Sequence, residues 1–131
     1  MTREEIEHLL EHSFPLSEKA LEYACMTQFF DLGWECANAE HESEHASLLG
    51  REDLEEVVLT KYLEPRLQSL NPKAPQAALD QAVQFLTEDR SVMQTVVANK
   101  EIYAALKEGV KVTYLDKHGE QQIDRIKVID W

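Results

Sequence analysis

Apolar positions recur at helical spacing through most of the chain and at strand spacing near its end. Ile6, Leu9 and Leu10 mark one face of an acidic first helix, which Ser13-Phe14-Pro15 ends because proline disfavours helix at the residue before it. Ser17 is a suitable N-cap for a second helix, whose apolar stripe is Ala20, Leu21, Ala24, Cys25 and Phe29 and whose stop is Leu32-Gly33. Trp34 to Ala37 then reads as a short early strand. Residues 38–50 are crowded with Glu and His, lack a core period and read as a loop or weak helix. A long helical stretch over 52–69 carries Leu54, Val57, Val58, Tyr62 and Leu67, with Pro65 expected to bend or divide it. Asn71-Pro72 closes that stretch. Pro75 suits the first turn of the next helix, which uses Ala78, Leu79, Ala82, Phe85 and Leu86. A further helix runs from Ser91 to Lys107 and stops at Glu108-Gly109.

The period then changes. Val110, Val112 and Tyr114 alternate with polar residues, as do Ile123, Ile126 and Val128, around Asp116-Lys117-His118-Gly119, which predicts a β-hairpin. The fold class is therefore α+β: several helices, an early strand and a C-terminal hairpin. At 131 residues, with 44% hydrophobic and 29% charged positions, the chain is expected to form one compact unit with a real core. The strand pattern runs up to Trp131 with no polar tail, from which we expect a chain trimmed within a larger domain.

Charge changes the functional picture. Thirteen Lys and Arg against 25 Asp and Glu give a formal charge of −12. Nucleic-acid affinity comes largely from cationic side chains displacing counterions at phosphates, so this segment alone should bind DNA poorly, and an anionic membrane surface is equally disfavoured. The N-terminus lacks the basic start and apolar stretch of a signal peptide, and no apolar run reaches the roughly 18 residues of a membrane span, so a cytoplasmic location is expected. Cys25 and Cys36 form no metal spacing and read as ordinary buried thiols.

His41-Glu42-Ser43-Glu44-His45 fits HExxH, in which two His one helical turn apart bind Zn²⁺ and the Glu activates its water. It lies in the stretch with the weakest core pattern, whereas a zinc hydrolase needs it on a rigid helix with a third ligand, for which Glu52, Glu55 and Glu64 have no distinguishing context. A polar loop is the reading that fits it best. His8 and His12 also stand one turn apart, on the polar side of the first helix, and read as solvated. Glu40, Glu42 and Glu44 lack the glycine and the terminal Glu spacing of an EF-hand loop. Trp34 and Trp131 read as core residues, because the Lys and Arg interleaving of single-strand binders is missing.

Leu16-Ser17-Glu18 through Leu21-Glu22, Leu32-Gly33-Trp34-Glu35, Glu56-Val57-Val58-Leu59, Leu70-Asn71-Pro72, Asn99-Lys100, Glu108-Gly109-Val110 and Asp124 to Trp131, taken in this order and spacing, resemble the N-terminal region of type I restriction enzyme R subunits. The resemblance implies that residues 1–131 are the helix-rich N-terminal part of a restriction-endonuclease-like (PD-(D/E)xK) nuclease domain. It implies an enzyme, a type I site-specific deoxyribonuclease that cuts unmodified foreign double-stranded DNA. An ATP-driven translocase follows the nuclease domain, and the R subunit works with modification and specificity subunits. Mg²⁺ serves cleavage, ATP drives the motor, and S-adenosylmethionine belongs to the methylating part of the complex.

In that family the acids hold Mg²⁺ and the lysine helps activate water and stabilise developing charge. This sequence has no [DE]-x-K, since each of its eight lysines follows a neutral or basic residue two positions earlier, and it has no GxxxxGK[ST] phosphate loop. The chain alone is thus expected to hold no cofactor, to cut no DNA and to hydrolyse no ATP. The resemblance carries one site residue over: Glu22, an auxiliary acid on the helix before the first strand, with Glu18 its neighbour. Both also fit solvated acids on an exposed helix face. The alternatives are a small acidic protein-interaction module, with helices 52–107 contacting another subunit, and the zinc hydrolase built on His41 and His45.

Overall fold

A computed structural model describes residues 1–40 and 49–131, so the HExxH stretch, with Glu42 and Glu44, lies outside the described residues. The chain clusters into two compact units, Met1–Leu49 and Gly50–Trp131, where the sequence pattern predicts one.

In the first unit α1 (Arg3–Glu11) and α2 (Glu18–Asp31) pack on each other. Thr2 and Glu5 form a capping box at the start of α1, each side chain accepting from the other's backbone N–H, and Ser17 Oγ accepts from Ala20 N at 3.1 Å at the start of α2. Arg3 pairs with Glu7 and, at 2.9 Å, with Asp31, tying the two helices together. Among the described residues of this unit Ile6 is fully withdrawn from water and Tyr23 is buried. Of the expected α2 stripe, Ala20 and Ala24 are half-buried while Leu21, Cys25 and Phe29 face outward. Apolar residues occur all round this helix, so its period singles out no face, and packing on α1 selects the Tyr23 side. The thiols follow: Cys25 is exposed and Cys36 half-buried, against the expectation of two buried ones.

The early strand at Trp34 to Ala37 does not form. A strand needs a neighbouring ladder; here Trp34 N donates to Phe29 O at 3.0 Å and closes the end of α2 instead. Trp34 is 64% exposed, its ring edge-on to Phe29, and so is no core residue.

The second unit holds α3 (Thr60–Leu70), α4 (Gln76–Thr87), α5 (Thr95–Glu108), β1 (Val110–Leu115) and β2 (Gln121–Ile126). The helix expected from residue 52 starts only at Thr60. Side-chain bonds hold the preceding residues in turns: Glu56 accepts from Glu52 N at 2.8 Å and Thr60 N at 3.2 Å, and Asp53 accepts from Glu55 N at 2.8 Å. Pro65 sits inside α3 without dividing it. Pro75 is the N-cap of α4, one residue ahead of its first turn. In the same way Asp89 accepts from Ser91 N at 2.8 Å and delays α5 to Thr95.

The hairpin forms as the alternation predicts, antiparallel with Val110 opposite Ile126 and Val112 opposite Asp124. Val110, Val112 and Ile126 face a core completed by Leu67 of α3, Ala78, Leu79 and Ala82 of α4 and Ala105 of α5. Full burial of Leu67 or Ile126 contributes about 1.5–3 kcal/mol each. Trp131 lies outside this core, 79% exposed, with its Nε1 donating to Leu106 O at 3.2 Å.

Candidate functional site

Several family-like stretches meet at the base of the hairpin. Asn71, just past α3, accepts from Lys127 N through Oδ1 and donates to Lys127 O through Nδ2, both at 2.8 Å, while Nδ2 also donates to Leu67 O at 2.8 Å. Its amide thus pairs with the backbone just past β2 as a neighbouring strand would. Gly109, at φ +89°, turns α5 into β1, and a Cβ there would lie 2.9 Å from Ile126 O, so only glycine fits. Gln81 of α4 makes a second strand-like pairing, with Thr113 N at 3.1 Å and Thr113 O at 2.5 Å, on β1. Leu70-Asn71-Pro72, Glu108-Gly109-Val110 and Asp124 to Trp131 therefore mark a scaffold joint. Spacing alone could not have shown the roles of Asn71 and Gln81, since nothing in sequence links an amide to a backbone so distant along the chain.

Glu22 and Glu18 are both exposed, one turn apart on α2. Glu22 contributes a minor electrostatic pull on Lys19, whose ammonium is held above its ordinary range chiefly by its hydrogen bond to Glu40. His8 on α1 and His12, its C-cap, are exposed with ring centroids 4.0 Å apart, and His12 Nδ1 lies 2.7 Å from His8 O. Among the described residues no three His, Cys, Asp or Glu side chains come together as a metal site.

Glu52 and Glu55 join a feature the pattern does not foretell, an open groove of about 840 Å³ within the second unit. Its apolar lining includes Val57, Val58, Leu86, Ala98 and Ile102. Its acids are Glu52, Asp53, Glu55, Glu56, Glu88 and Asp89; Arg90 is the cation of the lining, and Arg51 stands beside Glu56, its Nε donating to Glu56 O at 2.9 Å. Backbone hydrogen bonds from Glu52 and Thr60 hold the Glu56 carboxyl below its usual range, and one from Ser91 does the same for Asp89. Both stay ionised in mild acid. Arg90 donates to Phe85 O at 2.7 Å and lies over the Phe85 ring at 4.6 Å. The density of acids at 52–56 and 88–89 was the available signal, but which apolar residues lie between them depends on the turns that replace the expected helices.

In the second unit helices pack against one hairpin, an α+β arrangement in which Asn71, Gly109 and the end of β2 serve the architecture. The family model for the type I restriction enzyme R protein N terminus (HSDR_N) matches residues 15–131, and the chain belongs to that family. No curated protein and no solved structure matches it. Among the described residues no helix is long and apolar enough to cross a membrane.

Proposed function

We propose that this chain is the N-terminal part of the DNA-cleaving, ATP-dependent translocating R subunit of a type I restriction–modification complex, acting in the cytoplasm in defence against unmodified foreign DNA. The observation that carries the reading is the family match across residues 15–131, which takes in most of the first unit and all of the second. Residues 1–131 would be part of a restriction-endonuclease-like nuclease domain, and double-stranded DNA, modification subunits and specificity subunits would be the partners of the whole protein. The free thiols of Cys25 and Cys36 are compatible with a reducing compartment.

Mg²⁺, ATP and S-adenosylmethionine belong, on this reading, to other parts of the assembly. The residues present do not fit Mg²⁺: Glu22 is a single exposed carboxylate, the described residues gather no three-ligand cluster, and the sequence has no [DE]-x-K. No phosphate loop is present to hold ATP. Glu22 is proposed as an auxiliary acid only, its exposure on α2 leaving it free to face a site completed by other residues. The test has two arms. The purified 131-residue protein should neither nick plasmid DNA with Mg²⁺ nor hydrolyse ATP, and Glu22→Ala in the whole R subunit should lower cleavage while leaving ATP hydrolysis intact. Mg²⁺-dependent nicking by the short protein, abolished by replacing one of its own acids, would sink the assignment.

A further inference from the structure

The groove of the second unit combines two features that each disfavour contact with bare water or with anions. Its apolar side chains remain partly wet, Val57 at 88% exposure, and its six carboxylates outnumber the two guanidinium groups near them, Arg90 in the lining and Arg51 beside Glu56. The acids would repel nucleic acid or an anionic lipid surface, and their donors do not converge on a metal. Arg90, in the groove wall, keeps only 10% of its side chain exposed, and its Nε is buried with no hydrogen-bond partner, the nearest carboxylate being Glu101 at 3.6 Å. The other guanidinium nitrogens donate to Glu88 O at 3.1 Å and Phe85 O at 2.7 Å, so Arg90 is a fixed part of the groove wall, closed to an incoming ligand at Nε by its own burial.

We propose that this groove docks a basic amphipathic segment of a partner protein, with apolar side chains against Val57, Val58 and Ile102 and Lys or Arg against the acidic rim. The inference does not depend on the nuclease reading. Charge complementarity selects the partner, and the exposed apolar lining supplies a reason for contact that persists when salt screens the charges.

The test uses two synthetic peptides of identical amphipathic pattern, one of Leu and Lys and one of Leu and Glu, titrated into the 131-residue protein and followed by backbone amide NMR. The Leu/Lys peptide should bind and shift the amides of Val57, Val58, Ala98 and Ile102. Binding should weaken about fivefold in Glu52→Gln/Glu55→Gln, two exposed positions, yet stay within about twofold in Glu4→Gln/Glu11→Gln, which removes the same charge from α1. Val57→Ser, at an exposed site and without change of charge, should also weaken it. The proposal fails if the Leu/Lys peptide does not bind, if the Leu/Glu peptide binds as well, if the shifts fall outside the groove, or if the α1 variant loses as much affinity as the groove variant.

Discussion

Asn71 shows how much a single amide can hold in this fold. Replacing it with alanine removes both bonds to Lys127 and the one from Nδ2 to Leu67 O, and the net loss should be about 1–2 kcal/mol, seen as a lower urea midpoint at unchanged slope. Asp116 plays a comparable part at the hairpin turn. Its Oδ1 accepts from His118 N at 2.8 Å and Glu120 N at 2.9 Å, and Oδ2 accepts from Gln122 at 3.0 Å. Its pKa is lowered first by the Glu120 backbone bond, with those from His118 and Gln122 adding to it. For a carboxylate depressed in the folded state the contribution is present above the unfolded value, roughly 3.9, and is lost as pH falls through the lower folded value. Amide protection at His118 and Glu120 should accordingly hold from neutral pH down to that range and then fall, whereas in Asp116→Asn it should be nearly flat across the same acid range.

At the scale of elements, Pro65 is the clearest local conflict. It has no N–H to give to the carbonyl of Lys61, one turn earlier in the continuous helix Thr60–Leu70. Pro65→Ala should restore that bond and relieve the ring's clash, raising stability by about 1–2 kcal/mol after allowing for the freer unfolded chain, and thermal melting should show a higher midpoint. The elements with one strongly favoured face were legible in sequence. β1 alternates in burial, and Ala78, Leu79 and Ala82 mark the inner side of α4 as expected, whereas in β2 Ile126 is buried and Ile123 is 64% exposed, because residues three apart on a strand face opposite sides. Boundaries were lost where a carboxylate bonds a nearby backbone N–H, at Glu56 before α3 and at Asp89 before α5, because such bonds compete with helix in a way that apolar periodicity does not record. The expected strand after α2 failed for a different reason: its apolar residues had no ladder to join. Of the candidate site, the sequence placed Glu22 and Glu18 on an exposed helix face, but it could not announce a groove assembled from turns and two helices.

For the whole molecule, the unequal cores of the two units carry a consequence. Among the described residues the first buries Ile6 and Tyr23 while leaving Phe14, Leu16, Leu21 and Leu32 exposed, whereas the second has a contiguous core of eight buried residues. Residues 50–131 produced alone should unfold in one cooperative transition, and residues 1–49 alone should show none by circular dichroism. A sharp transition from the short piece would mean that its helical pair stabilises itself by means other than burial. The joint between α3 and the end of β2 also bears on how such a protein ages. An asparagine amide is ordinarily lost over time when the next residue's backbone nitrogen attacks it and closes a cyclic imide. The residue after Asn71 is Pro72, whose nitrogen carries no hydrogen and makes a poor attacker. The product of that attack would set a carboxylate against Lys127 O in place of a donor, so the Asn-Pro pair protects the hairpin joint from a chemical change that would otherwise turn an attraction into a repulsion.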